Sequence, residues 1–544
     1  MPIGPLEELR SAIEDAAAEL RNGKPGLTVR PTLERPKKAA FGDYSSNAAM
    51  LLAPALGAPP REIAERLAGT LAGALGERVD HVEVAGPGFL NVFLSEGWFV
   101  SALEDLLAAG EAFGAGTPDA PEKVLIEFVS ANPTGPLTAA SGRHAAFGDA
   151  LARILELAGH AVSREYYFND SGSQVDRLGE SILARAKGEE VPEDGYPGDY
   201  VDEIARAIEG AADLSVDVLA RHGVDAIMAG IRATLEAYRV HFDSWFLERG
   251  LHDGEPSAVE RVIALLEERG HVYRSEGAVW LRTSAFGDDK DRVLERSSGE
   301  TTYFANDLAY HQDKLERGYD RMINPLGSDH HGYVSRMKAA MAALGVDPAR
   351  LEIPMLQFVH LVEGGRRASM SKRRGDFVTL DDLIEEIGVD ATRFYMLSRS
   401  HDSTIDLDLE LAREQSSENP VYYVQYAHAR IASMLAKAGG ERVEAALVAR
   451  ARPAELHPAE RELIKKLLAF PGEVAEAADR RSPHRIAAYA LELAQVFTAF
   501  YRDCHVVGAE PPSLEDFRIT LSVAAQRVIA RALGLLGVAA PASM

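Results

Sequence analysis

The segment VLIEFVSANPTGPLTAASGRHAAFGDALARILELAGHAVSREYYF, which runs from Val124 to Phe168, decides the fold. It opens with a short, nearly continuous apolar run, which is typical of a strand buried on both faces of a parallel sheet. A loop rich in Pro and Gly follows, then a helix predicted over Gly142–Leu157 and a second strand predicted over 161–168. Strand, loop, helix and strand form a βαβ unit, which predicts a doubly wound α/β sheet of the nucleotide-binding type.

A second group of elements far downstream completes the predicted sheet. RMINPLG (321–327) and IPMLQFVHLV (353–362) are predicted as strands, with a helix over 333–344 between them. The region between the two groups is long and mixed, with helices predicted near 200–209 and 260–269. We interpret this region as an insertion between two halves of one sheet.

The flanking sequence predicts two further domains. Residues 1–115 form an α+β unit with an amphipathic opening helix, a helix over 60–75 and a strand pair around Gly86-Pro87-Gly88. Residues 116–402 form the Rossmann-type domain with its insertion, and residues 403–544 are almost wholly helical in pattern. A chain of 544 residues is too long for one hydrophobic core, so several domains are expected.

Composition narrows the class of protein. The hydrophobic fraction of 46% and charged fraction of 26% are those of a globular protein. Cys504 is the only cysteine, which excludes an intrachain disulfide and a multi-cysteine zinc site. The sequence has no secretory signal and no apolar run of the ~20 residues that span a membrane, so we expect a soluble, cytoplasmic protein. The formal net charge of −25 argues against a nucleic-acid partner, although it does not exclude a local basic face.

Two segments carry candidate chemistry. The loop before the helix predicted at Gly142 places backbone N–H groups and a helix dipole where an anion such as phosphate binds. The alternative is an ordinary capped turn, with Thr138 or Ser141 as the cap. The second segment, GGRRASMSKRRGDFVTLDDL (364–383), is glycine-rich and strongly basic, which suits a clamp on a polyphosphate. Its alternative is a solvated basic surface loop.

Together these segments resemble the signature regions of class I aminoacyl-tRNA synthetases, and specifically of the arginyl-tRNA synthetase family. Ser369-Met370-Ser371-Lys372-Arg373 resembles the KMSKS loop, with the first lysine missing and the second present. The H-x-G-H signature falls on Thr138-Ala139-Ala140-Ser141, so both histidines are absent. The resemblance covers essentially the whole chain, through further blocks at 41–47, 84–92, 164–175, 196–201, 327–340 and 419–431.

The resemblance implies residues for the nucleotide site. Catalytic roles fall on Lys372, Ser371, Arg373, Thr138 and Ser141. ATP contacts fall on Pro133, Gly135, Pro136, Gly142, Arg143, His144 and Met370. Since Thr138 and Ser141 are only neutral donors, we expect a rewired phosphate site to which His144 or Arg143 contributes.

Arginine recognition is implied at a second set of residues. A guanidinium presents a planar fork of donors that pairs with a carboxylate. Tyr303 and Asp307 lie one helical turn apart and can face one pocket, although a core aromatic and a surface acid are the ordinary alternatives. Ser130 and Asn132 match positions that hold the amino-acid end of arginine. The supporting residues are Glu127, whose alternative is an exposed strand position, and Asp329.

The remaining candidates concern metal and tRNA. Asp329, His330 and His331 could suggest a metal site, but no third ligand is evident and no resident metal is predicted. Tyr422, Tyr426 and Arg430 could stack on or bind anticodon bases, and their spacing equally fits a helix packed in a core.

The resemblance implies an ATP-dependent ligase that joins arginine to tRNA-Arg through arginyl-adenylate. ATP and Mg²⁺ would enter as a substrate complex, with no tightly bound cofactor, no membrane partner and a monomeric state. Residues 1–115 would contact the outer corner of tRNA, and 403–544 would bind its anticodon. The rival hypothesis is a catalytically inert paralogue that binds tRNA or arginine in a regulatory role, which the degenerate signature favours and the retained Lys372 opposes.

Overall fold

The computed structural model describes residues 4–21, 30–170, 172–367 and 378–544. Within these ranges, no helix combines the length and the apolar character that crossing a membrane requires.

The N-terminal unit is a small antiparallel sheet covered by helices. The strand order is β1–β3–β2, and the pair predicted around Gly86-Pro87-Gly88 is the β2–β3 hairpin. The helix predicted over 60–75 has those bounds, because Pro60 is tolerated in a first turn and Gly76 follows its end. The elements are α1 (Pro5–Arg21), β1 (Tyr44–Ser46), α2 (Ala48–Leu56), α3 (Pro60–Leu75), β2 (Val79–Ala85), β3 (Phe89–Leu94) and α4 (Glu96–Ala109).

The central part of the chain alternates strands and helices. Its first half comprises β4 (Lys123–Glu127), α5 (Ala139–Leu157), β5 (Ala161–Phe168), α6 (Ser173–Lys187), α7 (Asp199–Ala207), α8 (Val216–Ala237), β6 (Ser244–Leu247), α9 (Ala258–Glu268), β7 (Val272–Ser275), β8 (Ala278–Leu281) and β9 (Arg292–Glu295). Its second half comprises α10 (Tyr303–Glu316), β10 (Arg321–Ile323), β11 (Leu326–Gly327), α11 (His331–Ala343), β12 (Leu351–Glu352), β13 (Met355–Leu356), β14 (Val359–Glu363), β15 (Arg366–Arg367), α12 (Leu380–Ile387), α13 (Val389–Met396), β16 (Ile405–Asp408) and α14 (Leu409–Arg413).

The main sheet has five parallel strands in the order β12–β10–β4–β5–β6. In chain order, the sheet begins with the central strand β4, continues through β5 to the edge strand β6, and then adds β10 and β12 on the other side of β4. The direction of winding therefore reverses between β4 and β10. Ligands bind doubly wound sheets outside the carboxyl ends of the strands at such a switch point. Helix α5 lies close on this sheet, because a Cβ at Gly148 would come within 2.2 Å of the Phe128 ring.

The predicted parallel sheet is confirmed, with three corrections to its strands. RMINPLG is two strands, β10 and β11, separated by Asn324-Pro325. IPMLQFVHLV contains β13 and β14 instead of one strand, while the sheet edge is formed by β12, which ends before Pro354. A proline has no N–H to donate to a ladder, which accounts for the break at Pro325 and for the end of β12 before Pro354. The break between β13 and β14 falls at Gln357-Phe358, which contains no proline.

The region interpreted as an insertion also needs correction, because it contains a strand of the main sheet. β6 pairs in parallel with β5 through Glu165–Phe168 and Ser244–Leu247. The remainder includes an antiparallel sheet, β7–β8–β9, with a separate hydrophobic core that takes in Leu266, Leu281 and Leu308.

The C-terminal part of the chain is a bundle of helices. The elements are α15 (Pro420–Ala438), α16 (Gly440–Ala449), α17 (Pro458–Leu468), α18 (Phe470–Asp479), α19 (His484–Asp503) and α20 (Pro512–Leu535). The helical pattern expected directly after residue 402 has one exception, because β16 pairs in parallel with β14. The N-terminal unit packs on this bundle, where the Asp43 carboxylate accepts from Arg461 at 3.2 Å and Lys465 at 3.3 Å.

Candidate functional site

Helix α5 points its N-terminus at the switch point of the sheet. Thr138 is its N-cap, and the Thr138 hydroxyl oxygen accepts a hydrogen bond from the backbone N–H of Ser141 at 3.3 Å. The two side-chain oxygens are 3.2 Å apart. The capped turn that the sequence left as one alternative is therefore present. The N–H groups of Ser141 and Gly142 donate to the side-chain and carbonyl oxygens of Thr138, and the anion site at this helix end stays a prediction.

The loop before α5 is tied to the helices of the insertion. The Tyr200 hydroxyl donates to the carbonyl oxygen of Thr134. Gly135 packs against the same side chain, since a Cβ at this position would lie 3.3 Å from the Tyr200 hydroxyl oxygen. Pro133 is buried, and Gly135 and Pro136 are half-buried. This arrangement fixes the backbone that the sequence predicts to surround ATP.

A short backbone bridge joins α5 to the segment that follows the predicted basic loop. Ala139 N–H donates to Val378 O at 2.9 Å, and Leu380 N–H donates to Leu137 O at 2.8 Å. Gly142 leaves space for Leu380, because a Cβ there would be 2.7 Å from its methyl group. The predicted residues Met370, Ser371, Lys372 and Arg373 lie outside the described residues.

Arg143 is buried and fully engaged in the fold. Its guanidinium donates to the backbone carbonyl oxygens of Gln357 at 2.6 Å, Ser400 at 2.9 Å and Ser403 at 2.8 Å, with a longer bond to Phe358. Burial lowers the pKa of Arg143 to about 10, so it is still a cation at neutral pH. We therefore treat Arg143 as a residue that holds the loops after β13 and before β16 against α5, which does not support the expected contact with ATP.

His144 does not replace the cationic donor that the signature lacks. Burial lowers the pKa of His144 to about 4, and a hydrogen bond to the backbone of Pro325 opposes this shift only in part. A neutral imidazole that donates its one N–H to a carbonyl has a single nitrogen left, and that nitrogen can only accept. His144 can therefore meet a hydroxyl of a nucleotide but not donate to its phosphates.

Three carboxylates come together near the end of β4 and outline the candidate arginine pocket. Glu127 ends β4, Glu248 follows β6 and Asp307 lies on α10, so three separate elements supply them. Burial, followed by the charge of Glu127, raises the pKa of Asp307 to about 7, and a hydrogen bond from Tyr333 acts against this rise. A half-buried acid that forms no ion pair within the described residues is a strong attractor for a guanidinium.

Glu127 is held by neighbours from three directions. Its carboxylate accepts from Lys314 at 2.6 Å, from Asn324 at 2.9 Å and from the Ser130 hydroxyl at 3.1 Å. The chain turns sharply after β4, where Ser130 has a φ of 42°, in the left-handed region that costs energy for residues other than glycine. The structure thus brings Glu127 and Ser130 together, and Glu127 is not the exposed strand residue of the alternative.

The other predicted arginine-binding residues lie at the rim. Tyr303 is the first residue of α10 and is 58% exposed, one turn before Asp307. Asn132 is exposed in the loop after β4. Asp329 is also exposed and lies 3.4 Å from His330, with which it shares a short turn. Among the residues the structure describes, no cluster of three or more His, Cys, Asp or Glu could hold a metal ion.

Two residues of this pocket were not predicted from the sequence. Glu248 is buried and accepts from the Tyr167 hydroxyl at 2.7 Å and from Asn306 at 3.0 Å. Lys314 is fully buried beside Glu127. A signal for Glu248 exists, since WFLE repeats the pattern of VLIE, an acid that ends a short apolar run.

A second candidate site lies in the helical bundle. Its cavity of about 570 Å³ is lined by residues of α15 and α19 and by the C-terminal Met544. Arg430 donates to the Tyr426 hydroxyl at 2.8 Å and lies over the Tyr426 and Tyr501 rings, 4.6 and 5.3 Å from their centroids. The Tyr422 and Tyr426 rings stack at 5.9 Å, and Tyr426 is 39% exposed, so this face is available to a planar partner.

The family models identify the class of protein as a class I aminoacyl-tRNA synthetase, and the structure has a parallel sheet followed by a helical bundle. Residues 221–432 match the family model "tRNA synthetases class I (R), catalytic domain". Residues 7–94 match "Arginyl tRNA synthetase N terminal domain", and residues 424–544 match "DALR anticodon binding domain".

Relatives extend over nearly the whole chain. An arginine–tRNA ligase of Frankia alni is 47% identical over 94% of this chain and 94% of its own length. One of Shouchella clausii is 43% identical over 99% of each chain. The solved arginyl-tRNA synthetase of Thermus thermophilus is 26% identical, covers all of both chains and has a TM-score of 0.79. The chain belongs to the arginine–tRNA ligase family, whose members are enzymes, and none of these comparisons favours an inert paralogue.

Proposed function

We propose that this enzyme joins arginine to tRNA-Arg with ATP, through an enzyme-bound arginyl-adenylate. The observation that carries the proposal is the group formed by Glu127, Glu248 and Asp307, which interact electrostatically near the end of β4, the strand that leads through a loop into α5. A carboxylate pocket suits a guanidinium, and the helix N-terminus suits a phosphate. The two substrates, arginine and ATP, would thus be held side by side.

In the first step, the arginine carboxylate attacks the α-phosphorus of ATP. A new oxygen–phosphorus bond forms, the bond to the bridging oxygen breaks and pyrophosphate leaves. The protein contributes positioning and electrostatic stabilisation of the phosphoryl charge. Backbone N–H groups of α5 and the hydroxyls of Thr138 and Ser141 would meet the phosphates, while Lys372 and its neighbours Ser371 and Arg373 would hold the leaving pyrophosphate.

Arginine would bind with its guanidinium towards Asp307 and its amino-acid end towards Ser130 and Asn132. Tyr303, exposed beside this opening, would cover the aliphatic part of the substrate. Glu127 and Glu248 would support the pocket from behind, and Asp329 would close its outer edge. Such a pocket should reject citrulline, because a neutral ureido group cannot replace the charge-assisted pair.

In the second step, a terminal ribose hydroxyl of tRNA attacks the activated carbonyl, and AMP leaves. Tyr422, Tyr426 and Arg430 would bind anticodon bases, and the N-terminal unit would contact the outer corner of the tRNA. Lys437 and Arg430 line the cavity in the bundle, which gives this acidic protein a local basic surface. We expect the first step to require bound tRNA, as the family resemblance implies.

The proposal extends to the setting of the reaction. ATP would enter as its Mg²⁺ complex, so the ion belongs to the substrate. We expect a monomer that works in the cytoplasm, where its tRNA is found.

The decisive experiment is a charging assay on purified protein with radiolabelled arginine, ATP and tRNA, together with ATP–pyrophosphate exchange measured with and without tRNA. Lys372→Ala should nearly abolish exchange, while Lys187→Ala, which changes an exposed lysine at the end of α6, should not alter it. If the pure protein binds arginine and tRNA but forms no esterified product, the inert paralogue becomes the better description.

A further inference from the structure

The arginine pocket contains more negative charge than one substrate can neutralise. Glu127, Glu248 and Asp307 interact electrostatically with one another at its base. One buried cation accompanies them, Lys314, whose ammonium nitrogen lies 2.6 Å from Glu127. A single guanidinium brings one further positive charge, so the charge balance depends on how these groups share protons.

Lys314 forms an ion pair with Glu127. Its side chain is fully buried, lies 4.1 Å from the centroid of the Tyr310 ring and reaches Asn324 Oδ1 at 3.4 Å. Glu127 accepts from this ammonium group as well as from the neutral amide of Asn324, so the two charged groups form an ion pair inside the protein. Lys314 and Glu127 therefore act as a neutral pair.

The other two carboxylates have only neutral donors among the described residues. Glu248 accepts from Tyr167 and Asn306, and Asp307 interacts with Tyr333. No described lysine or arginine forms an ion pair with either carboxylate. The groups that face them electrostatically are Glu127, Lys314, Tyr167 and Tyr333, with His252 and Asp170 near Glu248 and Arg336 near Tyr333.

The Asp307–Glu248 pair holds a proton below about pH 7 when arginine is absent. Burial and the neighbouring Glu127 raise the pKa of Asp307 to about 7, and burial raises the pKa of Glu248. A guanidinium does not lose its own proton at neutral pH, so it pairs with an ionised carboxylate. The carboxylic O–H must then break, and its proton must go to the solvent.

We propose that Lys314 is a charge-balancing, positioning residue of the arginine pocket, and that arginine displaces one proton from the Asp307–Glu248 pair when it binds. The inference rests on the proposed function, since it requires that arginine occupies this pocket. Lys314 sets the number of protons by neutralising Glu127 permanently. Without its charge, Glu127 would join the other two carboxylates in sharing protons.

Isothermal titration calorimetry of the full chain with L-arginine alone tests this inference. Titrations at pH 6.0 and pH 8.0, each in two buffers of different ionisation enthalpy, count the protons released on binding. We expect about 0.9 of a proton at pH 6.0 and about 0.1 at pH 8.0, as a group titrating near pH 7 requires. A binding enthalpy at pH 6.0 that does not depend on the buffer would overturn the inference. If no binding heat or competition is seen at either pH, the proposed arginine site itself fails.

Two variants test the role of Lys314. Lys314→Met should still release protons at pH 8.0, because the cation that keeps Glu127 ionised is gone. The double variant Glu127→Gln/Lys314→Met removes both charges and should return to the wild-type count at pH 8.0. Circular dichroism establishes that each variant is folded, and the wild-type titration stands without them. A Lys314→Met count equal to that of the wild type, or a double variant no closer to it, would exclude the charge-balancing role.

Discussion

The side-chain oxygens of Thr138 and Ser141 lie 3.2 Å apart, at the two positions where the family signature has histidines. Each hydroxyl lies within hydrogen-bond distance of the other, and Thr138 also caps α5. In place of the signature histidines, the chain has a capped helix end with two neutral hydroxyls, which we expect to face a phosphate. A cation that stabilises the phosphate charge must then come from another segment, and we expect Lys372 to supply it.

Substitution of Thr138 should lower the stability of the protein, whereas substitution of Ser141 should slow ATP–pyrophosphate exchange. Thr138→Ala removes the cap and should lower the free energy of unfolding by ~1 kcal/mol, whereas Thr138→Ser retains it. Ser141→Ala keeps the cap, because Thr138 accepts from the backbone N–H of Ser141. We expect Ser141→Ala to leave the melting temperature unchanged and to slow ATP–pyrophosphate exchange several-fold, since it removes a donor near the phosphates. Unchanged exchange in Ser141→Ala would show that this hydroxyl does not contact ATP.

Arg143→Lys should damage the fold and not the nucleotide site. Lysine cannot reproduce a planar fork that reaches four carbonyl oxygens, so we expect a loss of at least ~2 kcal/mol in the free energy of unfolding. At a temperature where the variant is folded, its KM for ATP should match the wild type. The exposed Arg399→Lys, nearby in the same domain, is the control and should change neither quantity. A rise in KM for ATP without a loss of stability would instead support the contact between Arg143 and ATP that the resemblance implies.

Local pattern was enough to predict the sheet and its first helix. β5 has the predicted bounds, and α5 begins three residues before the predicted Gly142, at Ala139, because the cap is Thr138. β6 was missed since its four residues, SWFL, lie between long helices and are too short to show a period. IPMLQFVHLV is broken at Gln357-Phe358 because its two parts pair with different strands, β13 with β11 and β14 with β16. Local sequence does not state which neighbour each strand finds.

The candidate site, like the fold, has features that local sequence predicts and features that only tertiary contacts create. The capped turn at Thr138 is a local motif and could be predicted, while the Lys314–Glu127 pair joins residues 187 positions apart. His144 was expected to help with phosphate because of its spacing from Ser141. Its burial and its contact with Pro325, on a different strand connection, are tertiary effects and explain why the ring is neutral.

Asp307→Asn should stabilise the protein at high pH while it abolishes arginine binding. Because the folded-state pKa of Asp307 is raised to about 7, the folded protein binds this proton more tightly than the unfolded chain does. The resulting penalty is absent at low pH, grows as the pH rises towards 7 and is complete above it. Asparagine removes a penalty of at most about 4 kcal/mol, so calorimetry without arginine should show a higher melting temperature at pH 8 and little change at pH 4. An equal gain at both pH values would mean that the effect comes from packing and not from the charge.

Arg430→Ala should weaken tRNA binding without affecting the pocket for arginine. Arg430 packs between the exposed Tyr426 and Tyr501 rings, so its loss removes a cation and disorders two stacking surfaces. Stacking on one base is worth ~1–3 kcal/mol, which predicts a Kd for tRNA at least about fivefold higher by filter binding. The slope of log Kd against log salt should fall by about one, as expected when one phosphate contact is lost. Tyr423→Phe is the matched control, because its hydroxyl bonds to Thr498 inside the bundle at 3.1 Å and should affect stability alone. If Arg430→Ala binds tRNA as the wild type does and merely unfolds earlier, the aromatic face of α15 packs the bundle and the anticodon must be bound elsewhere.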